Sequence, residues 1–132
     1  MILQIQRRLQ AALAGVTALA LLPVAASAAS YAGTWSVSAT MSSAHASPVC
    51  KFAQSGNALS GTCKGPNGAG SASGVVSGRE VSFTWHVVRT NAIGATGAAS
   101  FRGVLGNDGV IRGTWTFTAA PGQSGTFTAI RA

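Results

Sequence analysis

The side chains that could act as acids, bases or nucleophiles are few. Glu80 and Asp108 are the only carboxylates of the chain, and His45 and His86 are its only histidines. Both carboxylates lie beside tight-turn sequences, SGRE and GNDG, where an Asp ordinarily stabilises the turn itself. Two histidines with no carboxylate beside them indicate neither a catalytic triad nor a metal site. We therefore expect a protein that is not an enzyme and that holds no metal or cofactor.

Cys50 and Cys63 are the remaining pair with a possible chemistry. In the stretch VCKFAQSGNALSGTCK, a two-residue turn at Gly56-Asn57 aligns Cys50 with Cys63 on opposite strands. Counted outward from the turn, they form a non-hydrogen-bonded pair, in which side chains approach most closely. The spacing predicts a cross-strand disulfide that closes a loop of about 14 residues.

Residues 1–28 have the pattern of an export signal. Arg7 and Arg8 form a basic start, an apolar run covers residues 9–24, and Ala26-Ser27-Ala28 fits a cleavage site. No later segment approaches the roughly 20 apolar residues that a membrane-spanning helix needs. We expect a periplasmic or extracellular protein with no transmembrane segment, whose residues 29–132 form one domain, a size that suits a single core.

The charge and the aromatic residues limit the possible partners. Without Arg7 and Arg8, seven of the nine Lys and Arg residues remain against two carboxylates, which leaves a net charge of about +5. A basic balance favours anionic partners, although scattered charges also serve as a solubilising surface. Specific nucleic-acid binding is not expected, because its stacking aromatics would have to share a face with the basic residues, and the strand pattern separates them.

Short runs of alternating polarity between turn residues predict an all-β protein, and helix-favouring residues are scarce after residue 28. Eight strands are predicted, at residues 33–40, 48–54, 59–64, 70–76, 80–89, 97–105, 110–118 and 125–131. A second hairpin turns at Asn107-Asp108-Gly109 and pairs Leu105 with Ile111. The connections after the first, third, fifth and seventh strands are the longer ones, so they are expected to surround the mouth of the fold.

Every second residue along these strands places the chain's three Trp and five Phe on one face, whereas Lys51, Lys64, Arg102 and Arg112 lie on the other. One apolar face on eight consecutive antiparallel strands favours an up-and-down β-barrel, because closure removes the exposed edges. A two-sheet sandwich is the alternative. The interior of such a barrel either holds one small ligand or is filled by side chains. If it is a ligand cavity, the expected lining is Trp85, Phe101, Trp115 and Phe117, with Arg89 at the rim.

A short unit, Gly-Thr followed by an aromatic residue or Cys, recurs at residues 33–35, 61–63, 113–115 and 125–127. Its Gly lies on the inward face, where it leaves room for a neighbouring ring or lets the strand bend. The first copy, with Trp35, also comes with Arg131 on the last strand. Arg131 has the inward parity of Phe127 and Ala129.

These features resemble the calycin barrels, which include lipocalins, fatty-acid-binding proteins and avidins. The order of GTW, LSGTC, VSFTWHVVRT, a second GTW and FTAIR is similar to avidins over most of residues 29–132. The resemblance implies an eight-stranded barrel in which Arg131 lies across Trp35 as a cation-π contact and the two residues close one end. It also implies a ligand pocket with aromatic walls.

The polar residues by which avidins bind biotin are mostly missing. Ser36-Val37-Ser38-Ala39 follows the first Trp in place of the family's ureido-binding Asn and Ser. Cys63 replaces the third-strand Tyr, Gly97 to Ala99 replace hydroxyl residues, and Gly125 replaces a late Asp. A pocket without these groups loses the selective part of its affinity. The favoured ligand is therefore a small apolar or anionic molecule, with Lys64 and Arg89 near the mouth.

A filled barrel that binds an exported protein is the alternative function. Periplasmic inhibitors of secreted metalloproteases are similar in size, in an early Gly-x-Trp and in a disulfide. That family inhibits through its N-terminal segment, whereas here only residues 29–32 precede the first predicted strand.

Overall fold

The computed structural model describes residues 29–41, 44–119 and 123–132, so the predicted export signal lies outside the described residues. Nine strands form a single antiparallel sheet. They are β1 (Gly33–Met41), β2 (Ala44–Ala46), β3 (Val49–Ser55), β4 (Ala58–Lys64), β5 (Gly68–Ser77), β6 (Glu80–Arg89), β7 (Gly97–Leu105), β8 (Ile111–Phe117) and β9 (Ser124–Arg131). Neighbouring strands follow chain order, and β1 also pairs with β9. The sheet is therefore a closed eight-stranded barrel, with β2 as an addition at one end.

The short strand β2 is a difference from the sequence prediction, which treated residues 41–47 as an irregular connection. β1 pairs with β3 only from Gly33 to Ser36, and its last residues pair instead with Ala44–Ala46. Pro48 separates β2 from β3, because it has no N–H to offer a ladder. Its carbonyl still accepts a hydrogen bond from the Val37 N–H at 2.9 Å. β2 and β3 thus act as one barrel strand interrupted at Pro48.

Both hairpins have the register that the sequence predicted. Ser55 pairs with Ala58 and Cys50 with Cys63 across the first, and Leu105 pairs with Ile111 across the second. Cys50 and Cys63 form a disulfide between Cα atoms 4.0 Å apart. A covalent link between β3 and β4 is consistent with an oxidising compartment.

Successive residues along each strand alternate between the interior and the exterior of the barrel. All three Trp are buried, and so are four of the five Phe, while Phe117 packs against this core. Four Phe rings form a cluster at the middle of the barrel: Phe83 stacks on Phe101 with 4.7 Å between the ring centroids, and Phe52 and Phe127 add edge contacts at 5.1 Å. The part of the chain that the structure describes contains no helix long and apolar enough to cross a membrane.

One end of the barrel, here called the closed end, is sealed around Trp35. The Arg131 guanidinium lies 4.4 Å from the Trp35 ring centroid and donates hydrogen bonds of 2.6 Å to the carbonyls of Ser30 and Ala32. The Trp35 indole donates to the Tyr31 carbonyl at 2.8 Å. The Tyr31 hydroxyl donates to the Arg79 carbonyl at 2.6 Å. The segment before β1 therefore covers this end of the barrel, and side chains of β1 and β9 hold it in place.

Two of the Gly-Thr units show why glycine is needed there. Gly33 has φ of +118°, and a Cβ on it would lie 3.3 Å from Arg131 Nη1. Gly113 faces another obstacle, because a Cβ there would lie 1.9 Å from the Arg102 carbonyl oxygen of β7. At Gly113 it is the backbone of the adjacent strand, and not a neighbouring ring, that leaves no room for a side chain.

Replacement of both cysteines, Cys50→Ser with Cys63→Ser, is expected to lower the free energy of unfolding by about 3 kcal/mol, because the unfolded chain regains the entropy of the opened loop. Urea unfolding measures the difference. A reducing agent should destabilise the unaltered protein and leave the double variant unchanged, and an equal response of both would contradict the structural role of the disulfide.

Substitution of Arg131→Met should lower the free energy of unfolding by about 1–2 kcal/mol, since it removes the cation-π contact and two charge-assisted hydrogen bonds. The matched control is Arg102→Met, on the exposed outer face of β7, where a change within about 0.5 kcal/mol is expected. Thermal and urea unfolding of both variants provide the comparison. Equal stability of the two would show that the closed end does not depend on Arg131.

Candidate functional site

The end opposite the closed end, here called the mouth, opens into a cavity of about 400 Å³. This volume lies within the range of pockets that hold small organic ligands. Phe101 forms its floor, above the stacked phenylalanine rings. Small inward residues, among them Ala39 and Ala99, leave the space that larger side chains fill further down. The barrel is thus filled in its closed half and open in its mouth half.

The four aromatic residues expected from sequence to line a cavity, Trp85, Phe101, Trp115 and Phe117, all contribute to this wall. The register explains their convergence, because β6, β7 and β8 are neighbours on which Trp85 pairs with Ala99 and Ala99 with Phe117. Trp115 lies one inward position below Phe117. A wall of this kind suits the apolar faces of a flat or compact ligand.

The loops around the mouth are held in place by hydrogen bonds. The Asn91 carboxamide nitrogen donates to the Pro66 carbonyl at 3.3 Å and to Asn67 Oδ1 at 2.9 Å, so it joins the β4–β5 and β6–β7 loops. Its oxygen accepts the N–H groups of Ile93 and Gly94, each at 3.0 Å. Ile93 remains 82% exposed beside the opening. An apolar side chain is therefore presented at the rim by a loop with a defined shape.

Arg89 ends β6 at the mouth but is not among the residues that line the cavity. Its side chain is exposed at the end of β6, and its backbone N–H donates to Thr96 Oγ1 at 3.2 Å. The following loop folds back so closely that a Cβ on Gly94 would lie 3.1 Å from Arg89 Cβ. Residues 93–95 of that loop line the cavity beside it.

Basic residues lie at both ends of the barrel, with Arg79, Arg112 and Arg131 at the closed end, but the two ends differ in their carboxylates. Lys64 and Arg89 end strands at the mouth, and His45 on β2 lines the opening. Glu80 and Asp108, the only carboxylates of the chain, lie at hairpins of the closed end. The Arg112 guanidinium, which donates to Asp108 at 2.9 Å, lowers the pKa of that carboxyl to about 2. The mouth is accordingly basic, and neither carboxylate reaches the cavity.

The outer face of the barrel has a separate, polar depression over β5 to β8. Hydroxyl side chains on adjacent strands line up across it at paired positions, with Ser73 opposite Thr84, Thr84 opposite Ser100 and Ser100 opposite Thr116. Arg102 lies at its edge. This surface offers a row of hydroxyl groups that runs across four adjacent strands.

No protein-family model, curated protein or solved structure matches the chain. The closed eight-stranded antiparallel barrel and its disulfide are consistent with the calycin-like fold that the sequence resembles.

Two features of the site were missed by sequence reasoning. His45 was assigned to an irregular loop, and only the pairing of β2 with β1 brings it to the opening. Asn91 has the turn tendency of any Asn, which its bonds to Ile93 and Gly94 reflect, but its bond to Asn67 depends on a second loop 24 residues away. Neither feature could be found from the alternation of polar and apolar residues. That alternation indicates which face of a strand a residue takes, but it does not indicate where a loop lies.

Proposed function

We propose that the chain is an exported, non-enzymatic binding protein that takes up one small, mainly apolar molecule through the mouth of the barrel. The observation that carries the proposal is the cavity of about 400 Å³, bounded by Trp85, Trp115 and Phe117. In a folded protein such a space beside three aromatic side chains loses packing contacts that a ligand can restore. Export is supported by the disulfide and by the signal pattern of residues 1–28.

The basic residues at the mouth favour those apolar molecules that also carry an anionic group. Lys64 and Arg89 are exposed, so they attract an anionic ligand toward the opening through long-range Coulomb forces and do not bind it in the pocket. An interior filled by side chains would favour the alternative function, in which the barrel acts through contact with another protein. The open mouth half favours the ligand-binding function over that alternative. We also propose that the chain is a member of the avidin branch of these barrels. This part of the proposal is based on the sequence resemblance and on the Trp35–Arg131 contact.

Titration with 8-anilinonaphthalene-1-sulfonate, an apolar aromatic probe with one anionic group, tests the proposal. We expect binding at one site with increased probe fluorescence. Ala99→Leu places extra side-chain volume in the cavity between Trp85 and Phe117, so it should weaken binding by at least about tenfold. The matched variant Ala53→Leu, on the exposed outer face of β3, should bind like the unaltered protein.

Circular dichroism of both variants establishes that they are folded before the affinities are compared. Absent binding by the unaltered protein would contradict the proposal. Equal weakening by both substitutions would place the probe outside the cavity.

Biotin is expected to bind weakly or not at all. The inward positions that follow Trp35 on β1 are Val37 and Ala39, which are buried and apolar, whereas Ser36 and Ser38 alternate to the other side of the strand. No polar clamp for a ureido group is therefore available from this strand. Isothermal titration calorimetry with biotin should give no heat of binding at micromolar protein, and tight binding would restore biotin as the ligand.

A further inference from the structure

The indole N–H of Trp85 has no hydrogen-bond partner, although the residue is only 7% exposed. The other two tryptophans are satisfied: Trp35 donates to the Tyr31 carbonyl, and Trp115 donates to the carbonyls of Thr40 and Thr126 at 3.2 Å each. Buried indole N–H groups ordinarily find an acceptor, because leaving one unpaired is unfavourable. Trp85 is the exception, and it belongs to the wall of the mouth cavity.

The surroundings of the Trp85 ring explain why the protein supplies no acceptor. Two glycines lie against it: a Cβ on Gly70 would be 3.7 Å from Trp85 Nε1, and a Cβ on Gly65 would be 3.6 Å from Cη2. Neither position can offer a side chain that satisfies the N–H. The Nε1 atom is itself buried, and a Cβ on Gly70 would also lie 1.8 Å from the His86 carbonyl oxygen, so the indole ring must turn toward the cavity before a ligand can reach its N–H.

We infer that Trp85 donates a hydrogen bond to the ligand, and that the ligand is a compact apolar molecule with a neutral oxygen acceptor such as a ketone or lactone carbonyl. This inference rests on the proposed function of the mouth cavity and names the chemistry that the cavity selects. A carbonyl oxygen restores the missing hydrogen bond, while the rest of the molecule packs on Trp115, Phe117 and Phe101.

A neutral acceptor fits the site better than a carboxylate does. A charged oxygen at Trp85 would need a cation within the wall, because burial of an unpaired charge is strongly unfavourable. Lys64 and Arg89 are exposed and are not among the residues that line the cavity. An anionic group is therefore accommodated only at the rim, and the group that reaches Trp85 is uncharged.

Two ligands that share a bicyclic skeleton, 1-indanone with a carbonyl and indane without one, test the inference. Indole groups are observed by proton–nitrogen correlation spectra of ¹⁵N-labelled protein, assigned by triple-resonance experiments. On addition of 1-indanone, the Trp85 indole proton should move downfield as its hydrogen bond forms, while that of Trp35 at the closed end stays in place. Indane should bind without that downfield shift, and about tenfold more weakly than 1-indanone.

Two variants separate the role of the N–H from that of the ring. Trp85→Phe keeps an aromatic wall and removes the donor, so the preference for 1-indanone over indane should fall to about one. Trp115→Phe removes an N–H that already donates to backbone carbonyls, and the preference should remain. The spectra of the unaltered protein decide the question even if a variant fails to fold.

The possible results are distinct. Binding of both ligands with equal affinity and with no downfield shift at Trp85 would overturn the inference and leave the cavity as a general apolar site. Binding of neither ligand, together with no binding of the anilinonaphthalene probe, would overturn the proposed function and the inference with it.

Discussion

The hydrogen bonds between β1 and β9 determine most of what this chain can do. Six residue pairs, from Trp35 with Arg131 to Thr40 with Thr126, close the sheet on itself. Closure turns one face of every strand inward, so the aromatic residues must share a narrow interior. At the closed end and in the middle they fill it. Toward the mouth some inward residues, such as Ala39 and Ala99, are small, and the barrel encloses empty space between its aromatic walls.

Most of the barrel could be predicted from the sequence because alternation and turn chemistry act locally. The Gly56-Asn57 turn sets the register that places Cys50 opposite Cys63, and that local count also predicts their disulfide. The contact between Trp35 and Arg131 joins residues 96 positions apart, yet parity on two strands and a family resemblance were sufficient to expect it. Features of this kind could be predicted because they depend only on the face of the sheet that a residue takes. In a β-strand, successive side chains point to opposite faces, so the face follows from the residue number.

The positions of residues at strand ends could not be predicted in the same way. Arg89 has inward parity, but parity loses its meaning where β6 ends and the next loop folds against the Arg89 side chain. β2 forms because β1 continues beyond its pairing with β3, a length that depends on closure with β9. The unpaired Trp85 N–H depends on two glycines in another hairpin. Site details of this kind arise from contacts between loops and strands that share no sequence pattern.

The central claim is that the barrel is filled below Phe101 and open above it. Crystals of the purified protein pressurised with xenon test this claim directly, because xenon enters apolar cavities and shows strong density there. The account predicts a xenon site, or a molecule retained from the source, between Trp85, Trp115 and Phe117, and none among Phe52, Phe83 and Phe127. A mouth half occupied by side chains, with no site for xenon, would contradict it.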